Sequence, residues 1–212
     1  MKSTQSESMI LAIESAVGGG SISLLRGLTE IAGWIGEGGV SRAEDLLPNI
    51  SRLLHKAVVD KYDITKLAVS TGPGSYTGIR IGIATALGLR NGLNIPCTGV
   101  PVTEAMLVGS NREGSVTTAI PMGKNDVSYQ EFSLANKSTP KLTTFDKFLE
   151  FARSNIWAEI VAEPSLYARL HESNLNDTTL TRTGENLAYY VGLAASEAEA
   201  SENLEPLFVK AA

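Results

Sequence analysis

The segment Ser70-Thr71-Gly72-Pro73-Gly74-Ser75-Tyr76-Thr77-Gly78-Ile79-Arg80-Ile81-Gly82 concentrates most of the residue types here that could do chemistry. Its glycines allow a tight turn and close backbone approach. The Ser75 and Thr77 hydroxyls can cap a helix, and the Arg80 guanidinium offers a paired donor set to a carboxylate or phosphate. A turn of this kind between a strand and a helix leaves free backbone amides at the positive end of the helix dipole, which suits an anion. The string nevertheless fits neither common phosphate fingerprint. Gly72 and Gly78 are six positions apart and Ile79 follows, where a Walker loop needs a spacing of five and then lysine. Thr77 stands where the dinucleotide fingerprint needs glycine.

Other chemistry is sparse. A serine nucleophile needs a base, and the chain holds two histidines, His55 and His171, neither of which the sequence links to Ser75. Both read as surface or half-buried side chains. The four-residue neighbours of His55 are Ser51 and Val59, so it belongs to no pair of histidines on one helical face that could share a metal ion. The single cysteine, Cys97, rules out an internal disulfide and reads as a small core residue. A net charge of -5 argues against a surface whose main task is gripping nucleic acid phosphates. The Ala/Glu run Ala194 to Glu202 reads as a solvated helical face. No segment approaches the about 18 consecutive apolar residues of a membrane span, and residues 1–8 read as a polar tail. A cytoplasmic location is expected.

The elements that would hold the segment follow from hydrophobic period. Met9 to Ile13, Ser21 to Leu25 and Leu28 to Ile35 read as three antiparallel strands, the first two joined through Gly18-Gly19-Gly20. Ser41 to Glu44 fits a capping box, followed by apolar residues at helical spacing: Leu46, Leu47, Ile50, Leu53, Leu54 and Val58. Pro48 is expected to kink or restart that helix. Leu67 to Ser70 reads as a buried strand, and a helix runs from about Gly78 to Leu93, ended by Asn94 and Pro96. In the second half, Val116 to Ile120, Val127 to Leu134 and Lys141 to Thr144 read as strands, and Phe145 to Ala152 as a helix. Ile160 to Ala162 then reads as a strand, Glu185 to Glu199 as a helix and Glu205 to Lys210 as an extended end.

Three strands, helix, strand, helix, roughly twice, is the α/β order of a duplicated ribonuclease-H-like domain, the plan of the actin, sugar-kinase and Hsp70 superfamily. Two lobes are expected, 9–103 and 104–212, each a mixed five-stranded sheet with helices. The last segment would pack back on the first lobe, and a hinge would lie near Gly99-Val100-Pro101.

The string from Gly72 to Gly82 resembles the signature of the TsaB (YeaZ) family, Gly-Pro-Gly-Ser-Phe/Tyr-Thr-Gly-Leu/Ile-Arg. Ile10 to Ile13 is similar to that family's first strand, and Glu44-Asp45-Leu46-Leu47-Pro48-Asn49-Ile50 to its Glu-x-Leu-Leu-Pro-x-Ile helix. Asn94-Ile95-Pro96 with Gly99-Val100, and Pro206-Leu207-Phe208-Val209-Lys210 at the end, are also similar to family segments. The resemblance covers the first half well and the second thinly. Three places depart from it: Glu14-Ser15-Ala16 replaces Asp-Thr-Ser/Thr, Arg42 replaces a histidine, and Met122 to Asp126 replaces an Asp-Ala-Arg stretch.

The resemblance implies a catalytically silent relative of TsaD, the enzyme that transfers a threonylcarbamoyl group to adenosine 37 of tRNA. It implies no catalytic residue and no metal or cofactor on this chain; ATP or ADP and metal would sit on partner subunits. It implies partnership with TsaD, and with TsaE in a ternary complex, a homodimer through the same helices, and only indirect contact with tRNA. The signature loop would be Gly72, Pro73, Gly74, Ser75, Tyr76, Thr77, Gly78 and Arg80. Arg80 reads either as a helix-tethering or solvated cation, or as a contact to a partner acid or nucleotide phosphate. Small residues Gly78, Gly82, Ala86, Gly88 and Gly92 fit close packing against the chain's own sheet or against another helix. The resemblance implies the second, with an interface of Leu46, Leu47, Ile50, Ile79, Gly82 and Ile83. Alternatives are a glycoprotease-type metallopeptidase, which would need metal ligands, and an ATP-dependent phosphotransferase. The latter would have only Gly18-Gly19-Gly20 as a further phosphate loop.

Overall fold

The computed structural model describes residues 8–37, 45–175 and 178–209. Residues 1–7 of the expected tail, the Ser41–Glu44 capping box with Arg42, and Lys210 lie outside the described residues.

Two five-stranded sheets share one internal order. The first contains β1 (Met9–Glu14), β2 (Ser21–Arg26), β3 (Thr29–Ile35), β4 (Lys66–Gly72) and β5 (Cys97–Pro101), in spatial order β3-β2-β1-β4-β5. The second contains β6 (Val116–Met122), β7 (Asp126–Phe132), β8 (Lys141–Thr144), β9 (Glu159–Ala162) and β10 (Leu180–Arg182), in order β10-β9-β6-β7-β8. In each, the first three strands are antiparallel and the last two run parallel to the first. The helices are α1 (Leu46–Ala57), α2 (Tyr76–Leu93), α3 (Val102–Ser110), α4 (Phe145–Ser154), α5 (Pro164–Glu172) and α6 (Leu187–Glu197). This is the duplicated ribonuclease-H-like plan that the element order led us to expect.

Alternation along β1 sets the layers, because successive side chains point to opposite faces. Leu11 and Ile13 join Ile22, Leu24, Leu67 and Val69 under α1 and α2. Ile10 and Ala12 join Leu25, Ala68 and Val100 under α6, through Ala188, Val191 and Ala195. The last helix of the chain therefore covers the first sheet. In the second sheet, Ala119, Val127 and Ile160 pack against Phe148 and Ala152 of α4 and Leu166 and Leu170 of α5.

Several expectations need correction. Pro48 neither kinks nor restarts α1, which runs unbroken from Leu46; in the first helical turn the amide that proline lacks would have had no partner. The helix stops at Ala57, and Val58 adopts a left-handed cap with φ 55°. Gly99 to Pro101, expected as a hinge, forms the end of β5, hydrogen-bonded along β4 and running directly into α3. The helices α3 and α5 and the strand β10 were not expected at all.

Candidate functional site

β4 is buried along most of its length and delivers the signature segment to one end of the first sheet. Gly72 turns the chain with φ 105°, in a region L side chains rarely enter. A Cβ there would meet the Leu207 carbonyl oxygen and Ile79 Cδ1, each at 2.7 Å. The Gly72–Pro73 peptide is cis. A Cβ on Gly74 would lie 2.4 Å from the Ala16 oxygen, and the Ser75 amide donates to that same oxygen at 2.7 Å. Ser75 then caps α2, its Oγ accepting from the Gly78 amide at 3.2 Å. One free amide of the helix start is thereby satisfied from within the chain.

The first turn of α2 lies directly on the Ser15–Val17 turn. Ser15 Oγ donates to the Gly78 oxygen at 2.8 Å, and Cβ atoms on Gly78 and Gly82 would meet Ser15 atoms at 2.0 and 2.2 Å. The expected row of small residues thus divides. Gly78, Gly82 and Ala86 are buried against this chain, whereas Gly88 and Gly92 are exposed, with nothing within 4 Å of an added Cβ. The expected interface divides in the same way. Leu46, Ile50, Ile79 and Ile83 are core residues and Gly82 is buried, because α1 and α2 turn these side chains onto the first sheet. Leu47 alone of the six is open, at 54% exposure.

Outside that buried row the two helices frame an apolar groove of about 430 Å³, lined by Leu47, Ile50, Leu54, His55, Val59 and Leu89 among others. At the start of α2, Tyr76 and Arg80 are exposed; Arg80 Nη1 donates to the Tyr76 hydroxyl at 3.1 Å, and its guanidinium lies 5.2 Å from the Tyr76 ring centre. Among the described residues no carboxylate is ion-paired with Arg80. Thr77 is exposed. The C-terminal segment closes over the turn: the Leu207 amide donates to the Thr71 oxygen at 2.8 Å, and Phe208 packs on Tyr76 with ring centres 4.7 Å apart.

The sequence marks a further group only as a departure from the family pattern. Glu14, at the end of β1, is 1% exposed. Its Oε1 accepts from the Ala16 and Val17 amides at 2.6 and 3.0 Å. Burial pushes its carboxyl up to about 7, opposed by those amides and by Ser70, and assisted by the charge of Glu163. Glu14, Glu163 and Glu185 line one cavity of about 130 Å³ together with Gly18-Gly19-Gly20. The signal for it was a lone glutamate closing an apolar run, which a sequence cannot distinguish from an exposed strand end.

The same cavity tests the nucleotide implied by the wider superfamily. The Ala16 and Val17 amides are already engaged by Glu14, a Cβ on Gly19 would meet the Glu37 oxygen at 2.4 Å, and three carboxylates face the space. A polyphosphate does not fit these residues. Burial also pushes the Cys97 thiol up to about 11 and keeps it inert. His171 stacks beside Tyr167 on α5, far in sequence from the signature. Among the described residues no three His, Cys, Asp or Glu side chains are grouped to hold a metal ion, and no helix is long and apolar enough to cross a membrane.

Two mixed sheets of identical order, with a glycine-rich turn leading into a long helix, define a member of the duplicated ribonuclease-H-like fold class. The family model described as TsaD, tRNA N6-adenosine threonylcarbamoyltransferase, matches residues 40–196. The tRNA threonylcarbamoyladenosine biosynthesis protein TsaB of Bacillus subtilis is 32% identical over 133 residues, 57% of this chain and 58% of that protein. Its namesake in Escherichia coli is 36% identical over 90 residues, 41% of this chain and 39% of that one. The matches thus span about half the length of these relatives. A crystal structure from Pseudomonas aeruginosa, described as an uncharacterized protein with similarity to peptidase YEAZ, superposes with a TM-score of 0.69 at 19% identity, covering 96% of this chain and all of the other. The chain belongs to the TsaB (YeaZ) family, within the wider group that the TsaD model describes.

Proposed function

We propose that this chain is a non-catalytic subunit of tRNA threonylcarbamoyladenosine synthesis that docks onto a TsaD-type transferase through the outward faces of α1 and α2. The observation that carries the reading is the apolar groove between those helices, lined by exposed Leu47 on α1 and by Leu89 on α2, with Gly88 and Gly92 of α2 also open to solvent. Small residues on an exposed helix face let a second helix approach closely, and an unfilled apolar groove gains free energy when covered. Leu47 and the groove wall form the docking surface; Leu46, Ile79, Gly82 and Ile83 support it from within. Arg80, stacked on Tyr76 and with no ion-paired carboxylate among the described residues, would meet a carboxylate of the partner.

In this reading the signature loop is a structural joint. It fixes the start of α2 on the Ser15–Val17 turn and so sets the angle at which the outward face is presented. The partner supplies the reacting groups, the ATP or ADP and the metal, and makes the main contact with tRNA; TsaE joins as a third component. Residues 9–103 form the lobe that docks, and 104–212 the second lobe, whose last helix braces the first. A homodimer through the same face would compete with the heterodimer.

Reconstitution tests this. The purified chain alone should leave tRNA unmodified, and adding it to its cognate TsaD, TsaE and a source of threonylcarbamoyl-adenylate should restore modification. Modification by the chain alone, or a mixture that gains nothing from it, overturns the proposal.

A further inference from the structure

The signature turn and the cleft between the two sheets meet at three residues, Ser15 to Val17. On one side this turn supports the signature: Ser15 Oγ donates to the Gly78 oxygen, the Ala16 oxygen accepts from Ser75, and Gly74, Gly78 and Gly82 have no room for a side chain against it. On the other side the Glu14 carboxyl holds the turn through the Ala16 and Val17 amides, beside a backbone bond from the Gly20 amide to the Val17 oxygen at 3.1 Å.

The surroundings of that carboxyl make its charge consequential. It is buried, and among the described residues no lysine, arginine or histidine lines its cavity. The second sheet presents Glu163, whose carboxylate caps α5 by accepting from the Ser165 and Leu166 amides. The approach to α6 presents Glu185, ion-paired with Arg182. β2 presents Ser21 and β4 presents Ser70, both uncharged. An ionised Glu14 can only accept hydrogen bonds and faces like charge across the cleft, whereas a protonated one carries a donor and no charge.

We propose that Glu14 is a proton-linked positioning residue: taking up or losing a proton in the cleft shifts the Ser15–Val17 turn and, through it, the signature turn from Gly74 to Gly82. Burial places that titration near neutrality, at about 7, where modest changes in surroundings alter the occupancy of the proton. The inference stands whether or not the α1/α2 face docks a partner, because both its ends lie within this chain.

Amide NMR of the uniformly nitrogen-15-labelled chain, titrated from about pH 5 to about pH 9 around that value, tests it. The Gly74, Gly78 and Gly82 amides should move with one shared inflection, matching that of Ala16 and Val17. Glu14→Gln should abolish the inflection at all five sites. Glu163→Gln, which keeps an oxygen to cap α5, should lower it by removing like charge; Ser70→Ala should raise it by removing a hydrogen bond to the carboxylate. His55→Gln should leave it in place. Flat glycine amides beside a titrating Ala16 overturn the coupling. An inflection that survives Glu14→Gln, or that neither Glu163→Gln nor Ser70→Ala moves, assigns the proton elsewhere and overturns the proposal. The last two variants decide the matter even if Glu14→Gln does not fold.

Discussion

The two faces of α2 carry the same residue types at the same spacing and meet opposite surroundings. Gly78, Gly82 and Ala86 run along the inner face, where a Cβ on either glycine would strike Ser15. Ala84, Gly88 and Gly92 run along the outer face, exposed, with open space beyond both glycines. A small residue on the inner face is required by what is already there. On the outer face nothing among the described residues requires it, and a helical glycine costs about 0.5–1 kcal/mol relative to alanine. An outer face that carries this cost fits the docking surface proposed above.

The comparison breaks first at Gly78. Gly78→Val should destabilise by about 3 kcal/mol or more, because the new side chain meets backbone and not a side chain that can turn aside. Urea denaturation would read this, and an unchanged midpoint would mean that α2 does not rest on the Ser15 turn.

Next in size is the pH dependence of that inner contact. The folded value for Glu14, about 7, lies above its ordinary 4.5, so the folded chain holds a proton that the unfolded chain has released between those values. Stability from this group is therefore complete below 4.5 and lost as pH rises through 7, on the order of 3 kcal/mol in all. Denaturation midpoints should fall across that window, and Glu14→Gln should flatten the fall.

Smaller gains are expected on the outer side. Val58, 92% exposed at the end of α1, is a β-branched residue at φ 55°. Val58→Gly should add about 1 kcal/mol, read as a higher melting temperature. Gly88→Ala should add about 0.5–1 kcal/mol, since its Cβ meets nothing. A loss there would show that the outer face is packed in solution.

The sequence made the strands legible because alternation and apolar runs report burial directly: β1, β2, β4, β6 and β7 lie within a few residues of expectation. The duplicated order followed from them. Helix faces were less legible. Leu46, Leu47 and Ile50 share an apolar stripe, but a stripe says that a face is covered and not whether this chain or another covers it. Here the chain covers Leu46 and Ile50 and leaves Leu47. The unexpected helix α3 packs against α6 and the second sheet and exposes apolar Val108, so it lacks a clear polar face to mark its period, while α5 buries only Leu166 and Leu170. Glu14 was named as a departure from the family pattern, yet its role depends on Glu163 and Ser70, which reach it only through the fold.

The central claim is that the outward face of α1 and α2 is a docking surface whose exposed positions, Leu47, Gly88 and Gly92, the chain's own packing does not need. Light scattering of this chain mixed with its cognate TsaD tests it most directly, using wild type, Leu47→Asp and Gly88→Gln. Both substitutions fall on exposed positions and should leave the melting temperature nearly unchanged or slightly raised. The account predicts a heterodimer mass for wild type and separate masses for both variants. Undiminished association of both folded variants would contradict it.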